Sequence, residues 1–218
     1  MSGRHVVLAL TGASGAIYGL RLGRELLRGG HRVTFLISRP GFAVIREECG
    51  LDWEGDAAFV TGRLLEHFGS VAGTLAYHAQ DNLLAPVASG SRVPDAMVVS
   101  PCSMGSLARI AAGLSGTLME RCADVVLKEG RPLVLVPRET PLSAIHLENM
   151  LKLARMGVRI VPAMPAFYHR PETVDDLVSF MVGKVLDQLG VEHQLFTRWG
   201  GEAGTGDRNV IPAESEKP

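Results

Sequence analysis

Between residues 5 and 38 the chain reads HVVLALTGASGAIYGLRLGRELLRGGHRVTFLIS, and this stretch limits the possible folds more than any other. An apolar run over residues 6–10 breaks at Thr11-Gly12-Ala13-Ser14-Gly15. It resumes with Ile17, Leu20, Leu22, Leu26 and Leu27 at helical spacing and closes at Gly29-Gly30 before a second apolar run. The order is strand, tight loop, helix, strand. Glycine lets backbone approach a ligand closely, and a helix beginning near Ser14 would aim unpaired N–H groups and its positive dipole end at that point. A phosphate is the expected guest. A glycine turn that binds nothing is the competing reading of this stretch alone.

The kind of phosphate compound follows from what the stretch lacks. A dinucleotide-binding unit wants G-x-G-x-x-G and an acidic residue closing the second strand. Here the glycines fall at Gly12, Gly15 and Gly19, and the second strand ends in Ser38-Arg39. Arg39 could take the 2′-phosphate of NADP, as in a short-chain dehydrogenase, but such enzymes need a Tyr and a Lys four residues apart. Tyr18, Tyr77 and Tyr168 are followed at that spacing by Leu22, Asp81 and Glu172. A mononucleotide is preferred.

A length of 218 residues with 46% hydrophobic side chains suits one domain with a sizeable core. The formal charge of −1 and the lack of a basic run argue against nucleic acid or an acidic membrane surface as the main partner. Cys49, Cys102 and Cys122 form no C-x-x-C pair and leave an odd count, which fits thiols in a reducing cytoplasm. No segment approaches the roughly 18 to 20 uninterrupted apolar residues of a membrane span, and the N-terminus lacks a signal peptide, so a soluble protein is expected. No His/Cys/Asp cluster has metal-ligand spacing, so no metal is expected.

Further along, Pro40 opens a helix to about Cys49, residues 52–72 form loop and a short helix, and residues 74–78 a strand. The piece DNLLAPVASGS (81–91) is a second candidate ligand-facing loop. Residues 96–99 form another buried strand, which breaks into Ser100-Pro101-Cys102-Ser103-Met104-Gly105 before a helix and repeats the logic of the first unit. Helices at 117–129, 141–156 and 173–189 then alternate with strands at 133–136 and 158–161, with Thr140 as N-cap and Pro141 as first residue of the second of these helices. The alternation predicts an α/β fold: a single-domain, doubly wound parallel sheet, Rossmann/flavodoxin-like, over residues 1–199. Residues 200–218 carry too little apolar material to fold alone and are expected to be disordered unless a partner subunit holds them.

On residues alone, Arg138-Glu139 fits a surface ion pair as well as a site at a strand's carboxyl end. Arg121 and Lys128, seven residues apart on one helical face, fit solvated cations as well as phosphate ligands. The segments TGASGAIYG, ASGS, PCSMGSLARIAAG, LMERCADVVLKE, PLVLVPRETPLSAIHLENMLKL and PAFYHRPETVDDLV together resemble the UbiX-type flavin prenyltransferases, relatives of the flavin-containing cysteine decarboxylases. The resemblance implies joining of a dimethylallyl group, from dimethylallyl phosphate, to N5 and C6 of reduced FMN without a metal. The prenylated FMN product would serve a UbiD-type decarboxylase, and the assembly would be a homo-oligomer, usually a dodecamer. FMN would be held by Gly12, Ala13, Ser14, Ser38, Cys102, Ser103, Met104, Gly105 and Arg138. The donor would meet Tyr168, Lys184 and Trp199, with Arg121, Lys128 and Glu139 close by from a neighbouring subunit. Glu139 would handle the proton at the leaving phosphate, and Ser14 and Glu48 that at N5. An FMN-dependent decarboxylase and a non-catalytic FMN carrier are the alternatives. Pro165, where the cysteine decarboxylases carry Asn in a P-x-M-N-x-x-M-W segment, counts against the first; His146 is assigned no role.

Overall fold

The computed structural model describes residues 3–199, so the expectation for residues 200–218 lies outside the described residues. Six strands, β1 (His5–Leu10), β2 (Arg32–Ile37), β3 (Thr74–Tyr77), β4 (Ala96–Cys102), β5 (Leu133–Pro137) and β6 (Arg159–Ile160), pair in parallel in the order β3-β2-β1-β4-β5-β6. The order reverses between β1 and β4. Ligands of open α/β sheets bind at such a switch point, outside the carboxyl ends of the strands.

The helices are α1 (Ala16–Arg28), α2 (Arg39–Cys49), α3 (Ala57–Phe68), α4 (Met104–Ala111), α5 (Leu118–Lys128), α6 (Ala144–Arg155) and α7 (Val174–Leu189). Both faces of the central strand are covered, which is why β1 reads as unbroken apolar sequence rather than alternating. Val6, Leu8 and Leu10 join one core with residues of α1, α2, α3 and α7. Val7 and Ala9 join the other with residues of α4, α5 and α6. The final helix thus returns to the first face and packs on α1, where Arg21 donates to Asp175 at 2.9 Å.

Gly19 belongs to helix–sheet packing, not to a phosphate loop: a Cβ there would lie 2.2 Å from the Ser100 carbonyl oxygen. A second difference concerns α6. It begins at Ala144 with Ser143 as N-cap, not at Pro141 with Thr140 as cap. Ser143 accepts the His146 N–H at 3.3 Å while His146 Nδ1 accepts the Ser143 N–H at 3.2 Å. A reciprocal cap satisfies two otherwise unpaired amides, which outweighs the preference of Pro141 for a first turn. His146 therefore does have a role, as half of a helix cap.

Candidate active site

At the β1/β4 switch point the loop leaving β1 is bound to the last residues of β4 and to Ser103 just beyond it, so the expected loop at residues 100–102 is strand. Thr11, buried, donates its hydroxyl to the Pro101 carbonyl at 2.8 Å and accepts the Ser103 N–H at 2.8 Å. Its own N–H also donates to Pro101, at 3.2 Å. One hydroxyl thereby makes a single surface of the two expected ligand loops. Thr11 is not among the ligand residues expected from the sequence. The signal was a polar residue directly after a buried strand, where nothing but a specific partner could satisfy it.

The start of α1 departs from expectation. Gly15 is its N-cap, in the left-handed region at φ 106°, and the helix proper begins at Ala16. Its first amides are not open to a phosphate. Glu48, in the last turn of α2, accepts the Gly15 N–H at 2.9 Å and the Ala16 N–H at 2.9 Å. The positive end of the helix dipole does attract an anion, but the anion is the protein's own carboxylate.

Burial pushes the Glu48 carboxyl up, but the Ser14 hydroxyl, the Gly15 and Ala16 amides and the Arg138 charge together outweigh it and hold the group below its ordinary value. Arg138, at the end of β5, donates from Nε to the Ser14 carbonyl at 3.3 Å. Ser14, Glu48 and Arg138, distant in sequence, meet here. Glu139 follows Arg138 on the exposed side, its carboxylate accepting the Thr140 N–H at 3.0 Å.

Residues 102–105 join the end of β4 to the first turn of α4 through the N-cap Ser103, and half of them face the wrong way for a ligand. Cys102 lies fully in the core, where burial pushes its thiol up to about 12, and Met104 is 7% exposed. Their side chains pack, and only their backbone remains for binding. Ser103 and Gly105 stay accessible, and a Cβ at Gly105 would meet nothing within 4 Å, so the first turn of α4 opens on free space. Ser103 donates to the Ser106 hydroxyl at 3.0 Å, which adds Ser106 to the site. Ser38 caps α2, accepting the Gly41 N–H at 3.1 Å, and still has its own proton to donate. Gly12, with Ala13 buried beside it, lies exposed in the β1 loop.

A second group forms on α7 and its flanks. The Tyr168 ring stands edge-on to Trp199 at 5.3 Å and to Phe180 at 5.8 Å, with Lys184 on the same helix as Phe180. Arg121 and Lys128 have partners elsewhere: Arg121 donates to the Ala88 carbonyl at 3.2 Å and to Asp124, and Lys128 pairs with Glu129. Arg121 braces the 86–92 segment of its own chain, and the Lys128–Glu129 pair lies beside Gly90.

The family model described as Flavoprotein matches residues 1–186. The flavin prenyltransferase UbiX of Halalkalibacterium halodurans is 54% identical over 195 residues, covering 89% of this chain and 93% of the relative. The chain belongs to the UbiX-type flavin prenyltransferase family. Among solved structures, AnUbiX (PadA1) in complex with FMN and dimethylallyl pyrophosphate is 38% identical, with a TM-score of 0.80 over 92% of this chain and all of that one. A dodecameric FMN-dependent UbiX-like decarboxylase from Escherichia coli O157:H7 is 45% identical, with a TM-score of 0.77 over 90% of this chain and all of that one.

The donor set suits FMN. The terminal guanidinium nitrogens of Arg138 pair with no carboxylate among the described residues, and the Ser38, Ser103 and Ser106 hydroxyls and the open turn at Gly105 surround the switch point. The Arg138 guanidinium and the Ser38 and Ser106 hydroxyls are donors for a phosphate and a polar ring edge.

Proposed function

We propose that this protein transfers a dimethylallyl group from dimethylallyl phosphate to reduced FMN: a bond to N5 replaces the allylic C–O bond, and a second bond to C6 consumes the allyl double bond, the protons displaced from N5 and C6 passing one to the allyl chain and one to the released phosphate. The observation that carries this reading is the meeting of Ser14, Glu48 and Arg138 at the switch point, in a chain 38% identical to a protein solved with FMN and dimethylallyl pyrophosphate. Reduced flavin, when bound, supplies the nucleophilic ring atoms. Arg138, Ser38, Ser103, Ser106 and the backbone at Gly12 and Gly105 hold it. Ser14 and the ionised Glu48 form a hydroxyl–carboxylate pair placed to accept the N5 proton.

Tyr168 and Lys184 bind the donor phosphate, and Trp199 lines the prenyl side. Arg121 and Lys128 reach the same phosphate from a neighbouring subunit of a homo-oligomer, a dodecamer by analogy with the Escherichia coli relative. Charge accumulates on the phosphate oxygen as the allylic C–O bond breaks; cations stabilise it, and Glu139 supplies a proton. The product, prenylated FMN, passes to a UbiD-type decarboxylase. Thiols at Cys49, Cys102 and Cys122, none in a disulfide, support a cytoplasmic location.

The deciding experiment is anaerobic incubation with reduced FMN and either dimethylallyl phosphate or the pyrophosphate, followed by flavin spectrum and mass. A flavin heavier by one prenyl group, formed faster from the monophosphate, is expected. Unmodified flavin with both donors would overturn the proposal. The Escherichia coli relative, an FMN-dependent UbiX-like decarboxylase, supports a second reading, an FMN-dependent decarboxylase. Release of carbon dioxide from an added acid without any prenyl donor would favour it.

A further inference from the structure

Residues 190–199 do not leave the fold where α7 ends. Gly190 closes the helix in the left-handed region at φ 64°, and the chain turns back across α7. One carboxylate fixes this return. Asp187 accepts from His193 Nε2 at 3.2 Å and from both terminal nitrogens of Arg198, at 2.6 and 3.2 Å. Lys184 Nζ stands 3.9 Å from the same group. His193 is nearly buried, and its Nδ1 accepts the Leu195 N–H at 3.2 Å, so the network assigns its proton to Nε2, facing Asp187.

Apolar contacts complete the return. Phe196 lies across Gly183, where a Cβ would come within 2.5 Å of the ring, and against Phe180 at 4.8 Å. Only glycine at position 183 lets the segment sit this low on α7. Trp199, at its end, is 82% exposed. So little burial cannot by itself order a large side chain, so the neighbouring Arg198, held at both nitrogens, is what sets the indole beside Tyr168.

We propose that Asp187 is a positioning residue of the prenyl-donor site, latching residues 191–199 onto α7 through His193 and Arg198 so that Trp199 stands against Tyr168, with Lys184 in the same network. The inference rests on the donor roles proposed above for Tyr168, Trp199 and Lys184. Removing the Asp187 charge has two opposed effects. It frees Lys184 for phosphate, but a 3.9 Å pair between partly exposed groups is weak. It also releases a two-point, charge-assisted Arg198 contact, which belongs to the strong class of hydrogen bonds. Loss of the latch therefore dominates, and donor use weakens.

The test uses the full chain carrying Trp53→Phe, which leaves Trp199 as the sole tryptophan of the two in the sequence. Fluorescence anisotropy of Trp199 needs no flavin and no activity. It should fall toward that of a free indole in Asp187→Asn and in Arg198→Leu, and be retained in Asp187→Glu. Arg198 is at the surface, so its variant tests the latch even if Asp187→Asn folds poorly. In parallel, KM for dimethylallyl phosphate should rise on the order of tenfold in both released variants, with kcat and FMN affinity within about twofold of the parent. Unchanged anisotropy overturns the latch whether or not the parent prenylates flavin. Lost anisotropy with unchanged KM overturns the positioning role. A parent that makes no prenylated flavin overturns the functional reading instead, while the anisotropy still decides the latch.

Discussion

Glu48 Oε2 accepts the Ala16 N–H at 2.9 Å, so the last turn of α2 supplies the carboxylate that caps the first turn of α1. Against the upward push of burial, the Ser14 hydroxyl first, then the Gly15 and Ala16 amides and the Arg138 charge, hold the Glu48 carboxyl below its ordinary value, in the ionised form a proton acceptor needs.

Glu48→Gln should retain FMN and slow prenyl transfer on the order of a hundredfold, the usual contribution of a general base. Because the Glu48 carboxyl is held below its ordinary 4.5, the stability it contributes is full above that pH and is lost as pH falls through the lower, folded value. The melting-temperature gap between the parent and Glu48→Gln should therefore be constant from neutrality down to about pH 5 and close below the carboxylate range. A gap that persisted unchanged in acid would show that Glu48 caps α1 without its charge.

Glu139→Gln keeps size and hydrogen bonding but removes the titrating group. Single-turnover prenyl transfer should slow by on the order of a hundredfold or more, with folding and FMN binding intact. An undiminished rate with FMN bound would leave Glu139 as a surface carboxylate turned toward the Thr140 amide.

If the donor roles proposed above hold, Tyr168→Phe and Lys184→Ala should each raise KM for the prenyl donor while FMN titration is unaffected, since Tyr168 packs on Phe180 of α7 and Lys184 lies on that helix. Parallel loss of FMN in these variants would assign the residues to the flavin or to the core.

Thr11→Val leaves the shape of the β1 loop but strands the Ser103 N–H and removes one bond to Pro101. Denaturant unfolding should show a loss of about 1–3 kcal/mol, the cost of an unsatisfied buried donor. FMN affinity should fall as well, because the two loops no longer move as one surface. Unchanged affinity together with lost stability would confine Thr11 to folding.

What the sequence by itself determined was local: the βα units, legible because the strands are apolar throughout and the helices carry apolar residues at 3.6-residue spacing, and the loops that end at small residues. The segments that follow β1 and β4 meet at the switch point, and Ser14, Arg138 and Ser103 stand there. What only the tertiary structure decided were relationships between distant segments. Glu48 seats on α1 because α1 and α2 pack together, which no local pattern encodes. Cys102 and Met104 turn into the core because a fully buried strand end leaves no room outside. Asp187 gathers His193, Arg198 and Lys184 because the chain folds back after Gly190, and a surface-looking Asp in a helix carries no mark of the partners a later turn will bring to it. Periodicity reports which face of an element is buried; it does not report against what, and the site is made of those contacts.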